Sequence, residues 1–267
     1  MDQGAACIAR LRALRHEMAR RGLSAWLCFT GDPHLCEYQP EHWAFRKYLS
    51  GFTGSAGTLA VTTTSAALWT DSRYWEQAAR ELAPAGIDLM QEGAPQTPGL
   101  AAAVISELDA GARIGLDPRT LSRRRFMGLK REFSEGGMEL VSDVELIDAV
   151  WSDRPQAVRN PVRPFAFGQD PVVDKLARVR AALAQAGADS LVLSTLDDIA
   201  WLTNLRGADL ACTPVFTAYA AITPSAALLF ADKARFSAEA LASLSASGVE
   251  LLDYERARTE IPARLSG

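Results

Sequence analysis

The sequence predicts an α/β fold built as two tandem, related domains, each a mixed sheet flanked by helices. Three observations predict it. First, short apolar runs of strand length alternate with segments whose apolar residues recur at three- and four-residue spacing. Second, this alternation is interrupted once, at 152–171, by Pro155, Pro161, Pro164 and Pro171, which hold the chain extended. Third, the opening pattern then returns. Leu11, Arg15, Gly22 and Thr30 are matched by Leu176, Arg180, Gly187 and Thr195 at an offset of 165, and Ser65-Ala66-Ala67-Leu68 by Ser225-Ala226-Ala227-Leu228 at an offset of 160, as in a duplicated unit. The expected domains are 1–153 and 172–267, joined by a proline-rich linker at 154–171. The first copy continues about 80 residues beyond Asp71, whereas 35 residues follow Asp232. Equal copies would carry the second about 50 residues past Gly267, so it is expected to be incomplete.

The elements follow in order. Ile8, Leu11, Leu14 and Met18 mark an amphipathic helix over 4–22 that stops at Gly22. Ala25–Phe29 reads as a buried strand, and 31–57 as a loop punctuated by Gly31-Asp32-Pro33, Gly51, Gly54 and Gly57. Strands are expected at 58–64 and Ala66–Thr70, then a helix capped by Asp71 and running to Leu82. Strands at 87–90, Arg113–Leu116 and Glu139-Leu140 alternate with helices at 98–108, 118–133 and 144–151. Beyond the prolines come a helix ending at Gly187, a strand at 190–195, a short helix capped by Asp197, a strand at 249–252 and a helix at 254–265.

The chain has 267 residues, 48% of them apolar and 22% charged, which excludes wholesale disorder. A net charge of −4 gives no electrostatic reason to expect nucleic acid or an anionic membrane. The longest apolar runs, 100–105 and 226–231, are far too short to span a bilayer, and the N-terminus reads as a charged helix rather than a signal peptide. Cys7, Cys28, Cys36 and Cys212 form no CxxC pair and are expected as reduced, partly buried thiols of a cytoplasmic protein.

Few motifs carry chemistry. The three histidines are His16, His34 and His42. His34 and His42 flank Cys36 and Glu37, open either to a single-loop metal site or to two solvated histidines. No HExxH, GxSxG elbow or phosphate loop is present. Arg123-Arg124-Arg125 reads as a solvated helix face. Two segments mix glycine, aromatics and charge without periodicity: 48–57 with its continuation Trp69-Thr70-Asp71-Ser72-Arg73-Tyr74, and 199–207. Arg73 lies at a strand-to-helix junction, where α/β folds place ligand contacts. Its guanidinium suits a carboxylate or peptide carbonyl, or else pairs with a nearby acid.

These segments carry a resemblance. His34-x-x-Glu37-Tyr38, Ser50-Gly51-Phe52-x-Gly54-Ser55-Ala56-Gly57-Thr58, Trp69-Thr70-Asp71-x-Arg73-Tyr74, Trp151-x-Asp153-Arg154-Pro155 and Leu196-Asp197-x-Ile199-Ala200-Trp201-Leu202-x-Asn204-Leu205-Arg206-Gly207 resemble the N-terminal part of cytosolic Xaa-Pro aminopeptidase (aminopeptidase P, peptidase family M24B), in its three-domain branch. The resemblance implies two creatinase/prolidase N-terminal-like domains ahead of a catalytic pita-bread domain. That last domain would hold a dinuclear Mn²⁺ site of two Asp, one His and two Glu, whose metals activate water for attack on the bond before proline. None of those ligands is expected here, so this chain alone is expected to contain no catalytic or metal-binding residue and to be inactive. Arg73 is the one residue the resemblance marks as a substrate contact, with Ser72 where the family usually has glycine. The implied partners are peptide substrates with proline at position 2 and, as an open arrangement, a homodimer, with no nucleic acid and no membrane. The expected role is to shape substrate access and aid assembly. The alternative is a stand-alone, non-enzymatic binding or regulatory protein of the same fold. Prolidase or creatinase fits less well, because those have a single domain before the catalytic one.

Overall fold

The computed structural model describes residues 3–168 and 170–265. Met1, Asp2, Ser266 and Gly267 of the expected domains, and Gln169 of the expected linker, lie outside the described residues. The chain divides into two compact units, 1–156 and 157–267.

In the first unit, helix α1 (Gln3–Arg20) precedes strand β1 (Ala25–Phe29), the short helix α2 (Phe45–Ser50), the hairpin β2 (Thr58–Thr62) and β3 (Ala66–Thr70), and helix α3 (Trp75–Leu82). Then β4 (Asp88–Gln91), α4 (Leu100–Glu107), β5 (Arg113–Leu116), α5 (Arg123–Glu135), β6 (Glu139–Ser142) and α6 (Leu146–Val150) complete it. The strands form one sheet in the order β4-β3-β2-β1-β5-β6. β2 runs antiparallel to both neighbours, and the other five strands are parallel to one another.

All five residues of β1 are buried, because helices cover both faces of the sheet. Trp26 and Cys28 face a core with Leu11, Leu14 and Met18 of α1, Leu49 of α2 and Leu82 of α3. Ala25, Leu27 and Phe29 face the other core, with Val104 of α4 and Leu129 and Phe133 of α5. The period of two in the strand and of three to four in the helices is what divides one sequence between two cores. α1 stops where Gly22 turns left-handed at φ +63 and Leu23 N–H closes on the Met18 carbonyl.

The second unit repeats the opening. Helix α7 (Val172–Ala186) follows a two-residue strand β7 (Arg163–Pro164), then come β8 (Leu191–Leu193), α8 (Leu196–Thr203), β9 (Leu205–Arg206), β10 (Tyr219–Ile222), β11 (Ala227–Phe230), α9 (Ala238–Ala246), β12 (Glu250–Leu252) and α10 (Ala257–Leu265). Its sheet order, β12-β11-β10-β8, is that of β4-β3-β2-β1, with the same parallel and antiparallel pairs. A side-chain latch recurs with it. Arg15 donates from Nε to the Thr62 carbonyl at 2.9 Å and from Nη2 to that of Ser65 at 2.8 Å. Arg180 donates from Nε to the Thr223 carbonyl at 3.0 Å. Each arginine on the first helix thus fastens the same hairpin turn. The turn also corrects the alignment: Thr62 corresponds to Thr223, an offset of 161 rather than 160, because both hydroxyls accept the N–H three residues on, from Ser65 and from Ala226.

Other expectations are corrected too. Asp71 does not cap α3, since Tyr74 stands at the N-cap and the Asp71 carboxylate is turned to Arg73. Asp197 lies inside the first turn of α8, whose N-cap is Thr195. The expected helix 118–133 is a short 3₁₀ turn at Pro118–Thr120 followed by α5, which starts afresh where Ser122 accepts Arg125 N–H. Helix α2 lies inside the expected loop, and α9 was not expected. The apolar residues each buries make only a four-residue repeat, Phe45 and Leu49 or Ala240 and Leu244, too little periodicity to stand out. The proline-rich stretch is not all connector. Val162 is fully buried and bridges Phe236, and Pro164 pairs with Leu205, since proline is tolerated in a two-residue edge strand.

Replacing Arg15 by Met should remove both guanidinium bonds to the turn, leaving the Ser65 carbonyl only its Thr62 N–H. The expected loss is about 1–3 kcal/mol, read as a lowered urea midpoint. Arg180→Met, which removes one such bond, should lower it less.

Candidate functional site

Parallel strands bring their C-terminal ends to one edge of the first sheet. That edge carries the residues after β1, β3, β5 and β6 and, from the antiparallel β2, the residues that precede it. An aspartate closes the chain just beyond each of these four parallel strands. Asp32 Oδ1 accepts N–H bonds from His34 and Cys36 at 2.9 and 3.0 Å. Asp71 accepts from Arg73 at 3.1 Å, Asp117 from Arg119 at 3.0 Å and Asp143 from Glu145 at 2.9 Å. Such turns let the chain leave the sheet without stranding backbone donors. Between β1 and β5, where the strand order reverses, α/β sheets commonly open a binding crevice. Here it is filled: a Cβ on Gly31 would overlap the Thr120 carbonyl oxygen. The exposed chemistry lies beyond, around the glycine-rich loop 51–57.

That loop is fastened almost residue by residue. Arg46, 4% exposed on α2, donates from Nη1 to the Phe52 carbonyl at 3.1 Å and from Nη2 to that of Gly54 at 2.5 Å. Its Nε donates to Thr30 Oγ1 at 2.6 Å, and that hydroxyl donates to the Gly57 carbonyl at 2.8 Å. The Glu81 carboxylate accepts from Thr53 N–H and Oγ1, both at 2.8 Å. Thr70 Oγ1 donates to the Ala56 carbonyl at 2.7 Å. Ser55 Oγ and the Tyr74 hydroxyl lie 2.8 Å apart. Gly54 is required by space, because a Cβ there would overlap the Phe52 ring and come within 2.8 Å of the Tyr74 ring.

Arg73 stands beside this loop with its side chain 68% exposed. It does pair with a nearby acid: Nε donates to Asp71 Oδ1 at 2.8 Å and Nη2 to Oδ2 at 2.9 Å. Its guanidinium carbon lies 5.2 Å from the centre of the Tyr74 ring, in cation–π range. The fork uses Nε and Nη2, and among the described residues Nη1 has no hydrogen-bond partner. Hydrogen bonding to Arg73 pulls the Asp71 carboxyl down to about 2, and the same pairing pushes the Arg73 guanidinium upward. Pairing therefore aims the arginine without consuming all of its donors.

The remaining candidates make contacts within their own units. His34 is buried rather than solvated, because the Asp32 turn draws its backbone inward. His42 Nδ1 donates to the Pro155 carbonyl at 2.7 Å. Burial holds its imidazole below the ordinary histidine range, against the pull of that carbonyl. Arg154 donates to the His42 carbonyl and to Asp148, both at 2.6 Å, and lies 5.0 Å from the Trp43 ring. Trp151 stacks on Tyr48 at 4.3 Å. In the second unit, Lys175 donates to the Trp201 carbonyl at 2.5 Å and to Asn204 Oδ1 at 2.7 Å, closing the C-terminus of α8, where Asn204 turns left-handed at φ +52. Cys7 and Cys28 are buried, Cys36 is half-buried and Cys212 exposed, with no disulfide among them. Burial pushes the Cys28 thiol up to about 12, so it stays protonated. Among the described residues no three His, Cys, Asp or Glu side chains come together as a metal-binding group. A dinuclear centre therefore finds no fitting donor set among them.

The creatinase/prolidase N-terminal domain family matches residues 10–150, and a second version of that domain matches 153–266. The chain belongs to this family. Xaa-Pro aminopeptidase ApepP of Drosophila melanogaster is 39% identical over 218 residues, 80% of this chain and 35% of the fly protein. Xaa-Pro aminopeptidase 2 of Sus scrofa is 37% identical over 270 residues, 97% of this chain and 40% of its own. X-prolyl aminopeptidase of Caenorhabditis elegans, a cytosolic enzyme with a dinuclear active site, matches in structure with a TM-score of 0.91. That match has 28% identity over 97% of this chain and 44% of the nematode chain. The chain thus spans less than half the length of each of these relatives. No helix among the described residues is long and apolar enough to cross a membrane.

For this creatinase-type domain the sequence singled out Arg73 and missed Arg46, Thr30 and Glu81. Nothing in local spacing marks Arg46, which reads as one more charge in a loop. Its role arises only when α2 sets it beneath residues 52–54.

Two outcomes follow from the geometry. Gly54→Ala should cost about 1–3 kcal/mol by overpacking, seen as a lowered urea midpoint. The depressed Asp71 carboxyl stabilises the folded state at pH values above its ordinary range near 3.8, and this contribution is lost as pH falls toward about 2. Carbon-detected NMR should therefore find Asp71 still ionised at pH 3, and Arg73→Ala should return its midpoint toward the ordinary aspartate range.

Proposed function

We propose that this chain is the N-terminal, non-catalytic portion of a cytoplasmic Xaa-Pro aminopeptidase, which removes the first residue from peptides with proline at position 2. The observation that carries the reading is the match to the nematode X-prolyl aminopeptidase over 97% of this chain. The tandem family matches support it. In this reading the two domains shape substrate access and aid assembly, and a dinuclear Mn²⁺ centre belongs to sequence outside this chain.

The role of Arg73 follows from its own donors. Asp71 holds the guanidinium by Nε and Nη2. Nη1 is left to donate to a carboxylate or backbone carbonyl of a bound peptide, while the Tyr74 ring supports the cation from the side. Such a contact selects and orients a peptide; it moves no proton and makes no bond.

Pure 267-residue chain is expected not to hydrolyse an Arg-Pro-Pro peptide, and chelator-sensitive turnover by it would overturn the reading. The coding sequence after the Gly267 codon gives a second check. An in-frame continuation encoding two Asp, one His and two Glu metal ligands supports the peptidase, and an immediate native stop supports the stand-alone binding protein. In the longer enzyme, Arg73→Ala should lower kcat/KM roughly 5- to 150-fold. Unchanged kinetics would remove Arg73 from the substrate's contacts.

A further inference from the structure

A guanidinium buried to 4% exposure is expensive to desolvate, and a buried cation is ordinarily matched to an anion. Arg46 has no carboxylate within ion-pair distance among the described residues. Its hydrogen bonds go to three neutral oxygens, those of Thr30, Phe52 and Gly54. Burial lowers its pKa to about 10, which leaves it charged at neutral pH. A cation is thus kept where packing alone would favour an apolar side chain, and its donors all serve one loop and the strand end beneath it.

The contacts continue outward from there. The Arg46 guanidinium carbon lies 4.8 Å from the centre of the Phe52 ring. Phe52 meets the Tyr74 ring edge-on at 5.9 Å. The Gly54 backbone, gripped by Nη2, lies against both rings. The next residue, Ser55, hydrogen-bonds the Tyr74 hydroxyl. Tyr74 thus meets the Arg46-held Phe52 and Gly54 at its ring and their chain neighbour Ser55 at its hydroxyl, and it carries the Arg73 guanidinium 5.2 Å from its ring centre. A lysine could not replace this grip, because an ammonium lacks the planar fork that reaches three acceptors in different directions.

We propose that Arg46 is a positioning residue that, through residues 52–55 and Tyr74, fixes the side support of the Arg73 guanidinium and so, together with the Asp71 fork, its orientation. The consequence for catalysis rests on the reading of Arg73 as a substrate contact; the positioning itself does not. Arg46 touches no substrate.

The test has two arms. In the 267-residue chain, the Arg73 Nε–H resonance is recorded by ¹⁵N NMR for the parent, Arg46→Lys and Tyr74→Phe. Arg46→Lys should remain folded yet shift or broaden that resonance, with faster exchange of the Phe52–Gly57 amides. An unchanged Arg73 resonance in folded Arg46→Lys overturns the proposal. Should Arg46→Lys fail to fold, Tyr74→Phe decides, since it removes only the Ser55 link at the surface: a moved Arg73 resonance supports the path and an unmoved one overturns it. The second arm is a double-mutant cycle in the longer enzyme. Arg46→Lys should lower kcat/KM roughly ten- to a hundredfold when Arg73 is present and little when Arg73 is already alanine. Equal losses on both backgrounds would overturn the proposal. If Arg73→Ala is kinetically silent while Arg46→Lys still moves the Arg73 resonance, the substrate reading fails and the positioning stands.

Discussion

The burial of β1 on both faces is the constraint from which most of the first unit follows. Five consecutive residues without access to water require a helical layer on each side. They also require hydrogen-bonding strands at both edges, β2 antiparallel and β5 parallel. Once β1 is central, its C-terminal end is delivered to a fixed point on the sheet edge. Thr30 sits there, accepting from Arg46 and donating to Gly57, so the strand end, the short helix and the glycine loop share one hydroxyl. The edge that presents Arg73 is thereby tied to the most deeply buried strand of the domain.

The two units show which parts of that plan are architectural and which are not. The strand order, the glycine that ends the first helix and the arginine latch on the hairpin turn recur. So does the aspartate after the third strand: Asp232 accepts the Ala234 N–H at 3.1 Å as Asp71 accepts that of Arg73. Ala234 thus stands where Arg73 stands. The turn is kept in both copies because any chain leaving the sheet needs its donors satisfied. The exposed guanidinium is present in only one, so it is not a demand of the fold. In the second unit a buried pair, Arg235 with Asp209, occupies the neighbouring position and ties the loop to the Asn160 carbonyl, a structural use of the same residue type.

Much of this was legible in advance. Ala25–Phe29, Ala66–Thr70 and Arg113–Leu116 match their strands to the residue, because a strand buried on both faces writes itself as a continuous apolar run. The position of Arg73 was legible because it lies at the junction between β3 and α3. Errors clustered where a short-range rule had a long-range competitor. Asp71 looks like a helix cap, but the guanidinium two residues on binds its carboxylate more strongly than a helix N-terminus would. His34 looks like a loop histidine, yet the Asp32 turn folds it inward. The prolines look like a connector, but Val162 between them finds a hydrophobic seat beside Phe236.

The sequence by itself determined the α/β class, the duplication, most strand positions and the place of Arg73 just beyond β3. These depend on periodicity, on glycine at left-handed turns and on residue order, all of which are local. Only the tertiary structure decided what surrounds that arginine beyond its Asp71 partner. Arg46, Phe52, Gly54 and Tyr74 meet because α2, the glycine loop and the start of α3 converge on the end of β1. No spacing within the chain encodes that convergence, since it is fixed by which strands pair and which faces they bury.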